Sequence, residues 1–222
     1  MIRVRIEAFR AIDNVEKCLE YIEGHRNVLL EHGFSHFSTN NDVWIFDPNI
    51  IVIVAYWNSS NLSICGGIRI QVKEESFLPF ERVLYSKGIQ FCHINEDFRR
   101  NCEICGLWNS KKVAGLKISH LLAYSAYSIL PSLDVRYCYM FNAKYTFSIT
   151  QALDFIRLSN LGTINYPNKY FEAFVWRKNN FDGNLLDERI DRNMMDLRTF
   201  PLQVRYEQYS KKIIVEYALN QF

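Results

Sequence analysis

Residues 102–130, CEICGLWNSKKVAGLKISHLLAYSAYSIL, constrain the fold of this chain more than any other stretch. Cys102, Ile104, Leu107 and Trp108 suit a buried strand, and residues 109–115 are polar and turn-prone. Ile118, Leu121, Leu122, Ala126, Ile129 and Leu130 then recur at helical spacing until Pro131 closes the run. A strand that feeds a helix through such a loop can build an anion site. The first-turn N–H groups have no carbonyl partner within the helix, and the helix dipole adds positive charge at the same place.

Bulk properties narrow the function classes. A chain of 222 residues with 49% hydrophobic and 15% aromatic content can bury a substantial core as one large domain, or as a domain with an appendage. A net charge of +2 gives no general attraction to nucleic acid or to a membrane surface. No run approaches the roughly 18–20 apolar residues of a membrane helix, and residues 50–57, IIVIVAYW, read as a buried strand. Residues 2–5 alternate like a strand and do not form a secretory leader. The cysteines at 18, 65, 92, 102, 105 and 138 lie mostly in apolar runs, as buried thiols of a reducing compartment do, so a cytoplasmic location is expected. Cys102 and Cys105 on one strand point to opposite faces, and no second pair completes a zinc set, so no metal is expected. His25, His32, His36, His93 and His120 have no Ser or Cys partner in a nucleophile motif, which leaves a hydrolase triad unsupported. There is no dinucleotide fingerprint and no P-loop.

Along the chain, residues 2–9 alternate as a first strand. Asp13, with Glu16 three residues on, caps a helix whose stripe is Val15, Leu19, Ile22, Leu29 and Leu30, with Gly24 as a point of weakness and Gly33 as the stop. Residues 43–46 read as a short strand, and residues 50–57 and 63–72 as a hairpin about a loop at 58–61. Residues 77–101 suggest a loop with a short helix. Beyond Pro131 the pattern predicts a strand over 134–141, a helix over 146–161 ending at Gly162, and two strands over 164–167 and 170–176. A charged helix over 185–197 and strands over 204–209 and 213–217 follow. That tail can act as a binding flap or extend the sheet, within the monomer or across a homodimer; extension of the sheet is the preferred reading.

The register Lys112-Val113-Ala114-Gly115-Leu116-Lys117 resembles motif A of the GNAT acyltransferase superfamily, a Q/R-x-x-G-x-G/A loop that cradles the pyrophosphate of acyl-coenzyme A. Gly115 matches. Lys112 is basic without being Gln or Arg, Ala114 replaces a common arginine, and Lys117 stands where the family has a small residue. Residues 65–69, Cys-Gly-Gly-Ile-Arg, resemble the family's Val-Gly-Gly strand start. The order of elements matches the family over residues 2–178. The resemblance implies an α/β (α+β) fold with a mixed, mostly antiparallel sheet flanked by helices. Residues 1–180 would form the acyltransferase domain and residues 181–222 a helix–strand extension packed on it.

What the resemblance implies for chemistry is direct acyl transfer, with acetyl- or another acyl-coenzyme A as co-substrate, to the amine of an unidentified small molecule or protein. Leu107, Trp108 and Asn109 at the strand end, and Lys112, Val113, Ala114, Gly115, Leu116 and Lys117 in the loop, would hold the cofactor. Gly106 is compatible with the family's bulge on this strand. Glu103, the one acid in an apolar run, is the candidate base, because burial raises a carboxyl pKa. Tyr145, after the fifth strand, is the candidate acid for the thiolate. The alternative is a non-catalytic protein of the same fold with a degenerate cofactor loop, binding a ligand or a protein.

Overall fold

Residues 50–56 and 65–72 are buried without a break, and such runs build a sheet with two dry faces. The computed structural model describes residues 2–34, 42–57, 63–74, 77–91, 100–181, 185–208, 211–219 and 222. Among them β1 (Ile2–Arg10), β2 (Ile50–Trp57), β3 (Ser63–Val72), β4 (Arg100–Asn109), β5 (Val135–Ala143), β6 (Ile156–Arg157), β7 (Ile164–Asn165), β8 (Glu172–Lys178), β9 (Leu202–Gln208) and β10 (Lys212–Leu219) form one sheet. Its order is β6-β8-β5-β4-β3-β2-β1-β10-β9, with β7 on β8. Only the β1–β10 and β4–β5 pairings are parallel.

Helices cover the two faces. On one face α3 (Ile118–Ile129), α4 (Phe147–Ala152) and α5 (Glu188–Thr199) close over Ile6, Ile53, Ile70, Ile104, Met140, Trp176 and Val215. On the other, α1 (Val15–Glu31) lies over Val52, Val54 and Trp108, and α2 (Pro79–Ser86) over Tyr139 and Val175. The tail joins the sheet: β10 lies beside β1, β9 forms the edge, and Arg205 ties β9 to α5 through Asp196 at 3.0 Å. Phe200 and Tyr206 of that tail remain exposed, whereas Tyr217 is buried.

Several local expectations need correction. Residues 43–46 form a 3-10 turn, because Trp44 and Ile45 plug under α1 instead of pairing. Asn14, not Asp13, caps α1, accepting the Lys17 N–H at 3.2 Å. The buried stripe of that helix is Cys18, Tyr21, Ile22 and His25, while Leu19 and Leu30 face solvent. Gly24 neither kinks nor breaks it: the helix runs through, and the absent Cβ makes room for the Trp108 ring. The helix expected over 146–161 stops at Ala152; Asp154 takes a left-handed φ of 55°, and Ile156 and Arg157 then pair with β8. The hairpin loop, Cys92, His36, His93 and Tyr209 lie outside the described residues.

Candidate functional site

β4 and β5 run in parallel, so their C-terminal ends open at one end of the sheet, where ligands gather in α/β folds. Their pairing runs from Arg100 with Val135 to Ile104 with Met140 and goes no further. β5 continues against β8 as far as Ala143 opposite Ala173, while β4 continues against β3 as far as Asn109 opposite Gly66. The two strands thus part into a cleft. The turn in β4 is local: its register on β3 steps between Gly67 and Arg69, and Gly106 takes a φ of 65°, which only glycine adopts without penalty.

The loop after β4 sits at the mouth of this cleft. Val113, Leu116 and Ile118 are buried in the core and peg it down, whereas Lys111, Lys112, Ala114, Gly115 and Lys117 face solvent. Three of its N–H groups close the loop on itself: Val113 donates to Ser110, Ala114 to Lys111 and Leu116 to Val113, at 3.1–3.2 Å. The Lys117 carbonyl takes the N–H groups of His120 and Leu121 at 3.0 and 3.1 Å, so α3 starts there. The Ile118 and Ser119 N–H groups, in the first turn, have no carbonyl one turn behind them. Lys112 and Lys117 are exposed in the loop that leads into this turn, and free N–H groups at a helix start favour an anion. His120, half-buried in the same turn, is held neutral by burial and by Lys117, both of which lower its pKa.

The expected cofactor residues therefore divide. Lys112, Ala114, Gly115 and Lys117 are accessible in the loop, and Leu107 and Asn109 are half-buried on the strand. The side chains of Val113, Leu116 and Trp108 point into the core, which leaves only their backbone to a ligand. Lys117 takes a left-handed backbone, with φ 58° and ψ 28°, a conformation that glycine adopts at little cost and lysine does not. Lys117→Gly is expected to raise stability by about 0.5–1 kcal/mol, less than the full left-handed penalty because glycine also gains freedom when unfolded. Thermal denaturation would register this as a gain of about 1–4 °C, and an unchanged or lower midpoint would show that the surroundings already compensate.

The two expected catalytic groups lie apart from that loop. Glu103 is 2% exposed, on the face covered by α2, and its Oε2 accepts the Phe80 N–H at 2.8 Å, capping that helix. Burial is the main reason its pKa rises from 4.5 to about 8; the Phe80 N–H and the Arg69 guanidinium pull the other way. Tyr145 follows β5 directly and is 80% exposed. It lines a cleft of about 320 Å³ between the β5 exit and the β7–β8 turn, with Lys144, Lys169, Tyr170 and Glu172. Neither lysine makes an ion pair among the described residues; Lys169 lies over the Tyr170 ring at 5.0 Å. A second cleft of about 330 Å³ opens at the far end of the sheet, but its arginines are engaged, Arg10 on the Pro48 carbonyl and Arg100 on Asn49 and Leu133. No group of three potential metal ligands and no helix long and apolar enough to cross a membrane occurs among the described residues.

Sequence reasoning overlooked Arg69, Lys144 and Lys169. Arg69 is 2% exposed, stacks on Trp44 at 4.5 Å and donates from Nε to Cys105 Sγ at 3.2 Å. Its signal was present in the β3 pattern, where a single charged residue interrupts Ile68 and Ile70. The lysines carried none, because isolated surface lysines look alike wherever they fall.

The sequence matches no known family profile and no curated protein. Solved structures do match. FeeM, an N-acyl amino acid synthase from uncultured soil microbes, aligns with a TM-score of 0.58 at 11% identity over 90% of this chain and 99% of its own. BjaI, a coenzyme A-dependent acyl-homoserine lactone synthase solved with SAM and isopentyl-CoA, aligns at 0.57 and 9% identity, over 96% of this chain and 94% of its own. Escherichia coli ElaA aligns at 0.58 and 11% identity, over 79% and 99%. With the parted parallel strands, the loop at their mouth and these alignments together, the chain has the fold of these proteins, a mixed, mostly antiparallel sheet flanked by helices, as the resemblance to motif A led one to expect.

Proposed function

We propose that this protein is an acyl-coenzyme A-dependent N-acyltransferase that acts by direct transfer to an amine. The parting of β4 from β5 beneath the N-terminus of α3 carries this reading. It offers a helix start for the diphosphate and a strand edge for an amide-bearing arm. Lys112, Lys117 and the first-turn N–H groups would hold the phosphates, and the backbone of Leu107, Trp108 and Asn109 would align the arm. Acetyl is the simplest acyl group. The cleft beside Tyr145 is the proposed acceptor site, and its two lysines suit an amine that also bears a carboxylate, in keeping with the N-acyl amino acid synthase FeeM. As the new C–N bond forms and the C–S bond breaks, Glu103 would take the amine proton and Tyr145 would return one to the sulfur.

Calorimetric titration with acetyl- and longer acyl-coenzyme A tests the reading, with 3′-dephospho and desulfo analogues as controls. Micromolar binding is expected, weakened at least tenfold by a bulky replacement of Gly115, whose φ is 80°. No binding to any of these thioesters would sink it. One observation favours the alternative, a non-catalytic protein of the same fold: a lysine in the left-handed conformation stands where the motif that the loop resembles has a small residue. That reading expects no binding in the same titration.

A further inference from the structure

The bulge that parts β4 from β5 is held from across the molecule. A bulge withdraws one residue from the ladder and leaves its backbone groups in want of partners. Here the Gly106 carbonyl receives the hydroxyl of Tyr21, which donates at 2.5 Å from α1, 85 residues away in sequence. Tyr21 is 1% exposed. It fills the space that two glycines leave: a Cβ at Gly67 would stand 2.5 Å from Tyr21 Cδ2, and one at Gly106 would overlap the hydroxyl. Trp44 and Trp108 close on it edge-on, at 5.8 and 6.1 Å between ring centroids. Burial raises its pKa, so the hydroxyl keeps its proton throughout the working pH range. Every degree of freedom of this ring is taken up in aiming one hydroxyl at one carbonyl.

We propose that Tyr21 is a positioning residue for the acyl donor: its hydrogen bond to the Gly106 carbonyl fixes the β4 bulge and so holds residues 107–109 clear of β5, open to the pantetheine arm. The proposal rests on the acyltransferase reading. It explains why both strands that meet at the bulge carry glycine there, Gly67 on β3 and Gly106 on β4. It also makes α1 part of the donor site without touching the donor.

Tyr21→Phe removes the hydroxyl and keeps the ring. Ile22→Val, the next buried position of the same helix, serves as a matched loss of packing. Coenzyme A affinity, amide hydrogen exchange and thermal midpoints would be measured for both variants and the unaltered protein. Tyr21→Phe is expected to weaken coenzyme A binding about five- to tenfold and to speed exchange at residues 105–109 before exchange in β2. Ile22→Val is expected to lower the midpoint while leaving affinity and β4 exchange unchanged. Unaltered affinity or β4 exchange in Tyr21→Phe, or equal weakening in Ile22→Val, would overturn the positioning role with the acyltransferase reading intact. Absence of coenzyme A binding in the unaltered protein would instead remove the reading itself, and any donor role for Tyr21 with it.

Discussion

Replacing Gly106 by valine is expected to lower stability by about 3–5 kcal/mol, a large share of what holds a domain of this size together. Two penalties combine. A residue with a Cβ at φ 65° costs about 1–2 kcal/mol, and branching at Cβ adds to it. The new Cβ would also occupy the place of the Tyr21 hydroxyl, breaking its bond to the carbonyl and leaving two buried polar groups without partners, at about 1–3 kcal/mol. Gly88 provides the control. Its φ is 69°, but no heavy atom lies within 4 Å of where a Cβ would stand. Gly88→Val should therefore pay only the backbone penalty. Urea denaturation of both variants separates the terms, because equal slopes with different midpoints report stability alone. A gap of less than about 1 kcal/mol between the two variants would mean that the Tyr21 contact yields easily, and the rigid bulge would lose its physical basis.

The same bulge shows what the sequence disclosed and what it withheld. Gly106 was compatible with a bulge through the resemblance to motif A, although a glycine that merely allows close packing reads the same way, and residues 102–130 declared their strand, loop and helix through an apolar run, a polar turn and a helical spacing. The hairpin of β2 and β3 was legible for the same reason. The failures have a common cause in tertiary packing. Leu19 and Leu30 looked like the buried stripe of α1, yet the helix turns Cys18, Tyr21, Ile22 and His25 inward to meet Trp44, Trp108 and Arg69. Burial and Arg69 hold the pKa of His25 down to about 4, which keeps it neutral among those rings. The segment after Thr146 carried helical spacing, but pairing with β8 drew Ile156 and Arg157 into a strand. At the site, Glu103 stood out as an acid in an apolar run; its partner, the Phe80 N–H of α2, lay in the stretch whose pattern was least decisive. Local rules foretell an element's type, but the face it buries is chosen by neighbours distant in sequence.

Glu103 should impose opposite pH trends on stability and on activity. Its folded pKa of about 8 lies above the value of 4.5 for an ordinary glutamate. A carboxyl raised in this way stabilises fully below its unfolded pKa, and the contribution is lost as pH climbs through the folded one. Between about pH 4.5 and pH 8 the native state holds a proton that the unfolded chain has released. Stability should thus fall by about 1.4 kcal/mol per pH unit over that window, on the order of 4–5 kcal/mol in all. Glu103→Gln should abolish this part of the slope, since the amide oxygen can still accept the Phe80 N–H and no charge ever forms. The variant should match the unaltered protein near pH 5 and exceed it by several kcal/mol near pH 8.5. Activity should run the other way. If Glu103 is the base that takes the amine proton, kcat/KM rises across the same window as the carboxylate appears, and Glu103→Gln loses that limb along with most of the rate. Denaturation and kinetics on the same two proteins decide between roles. A stability slope without an activity limb would leave Glu103 as the cap of α2 alone. Both together would mean that the group which costs the fold most on ionising is the one the chemistry uses, a conflict that active sites commonly contain. The lack of a stability difference at pH 8.5 would place the Glu103 pKa near its ordinary value, with the Arg69 guanidinium outweighing burial.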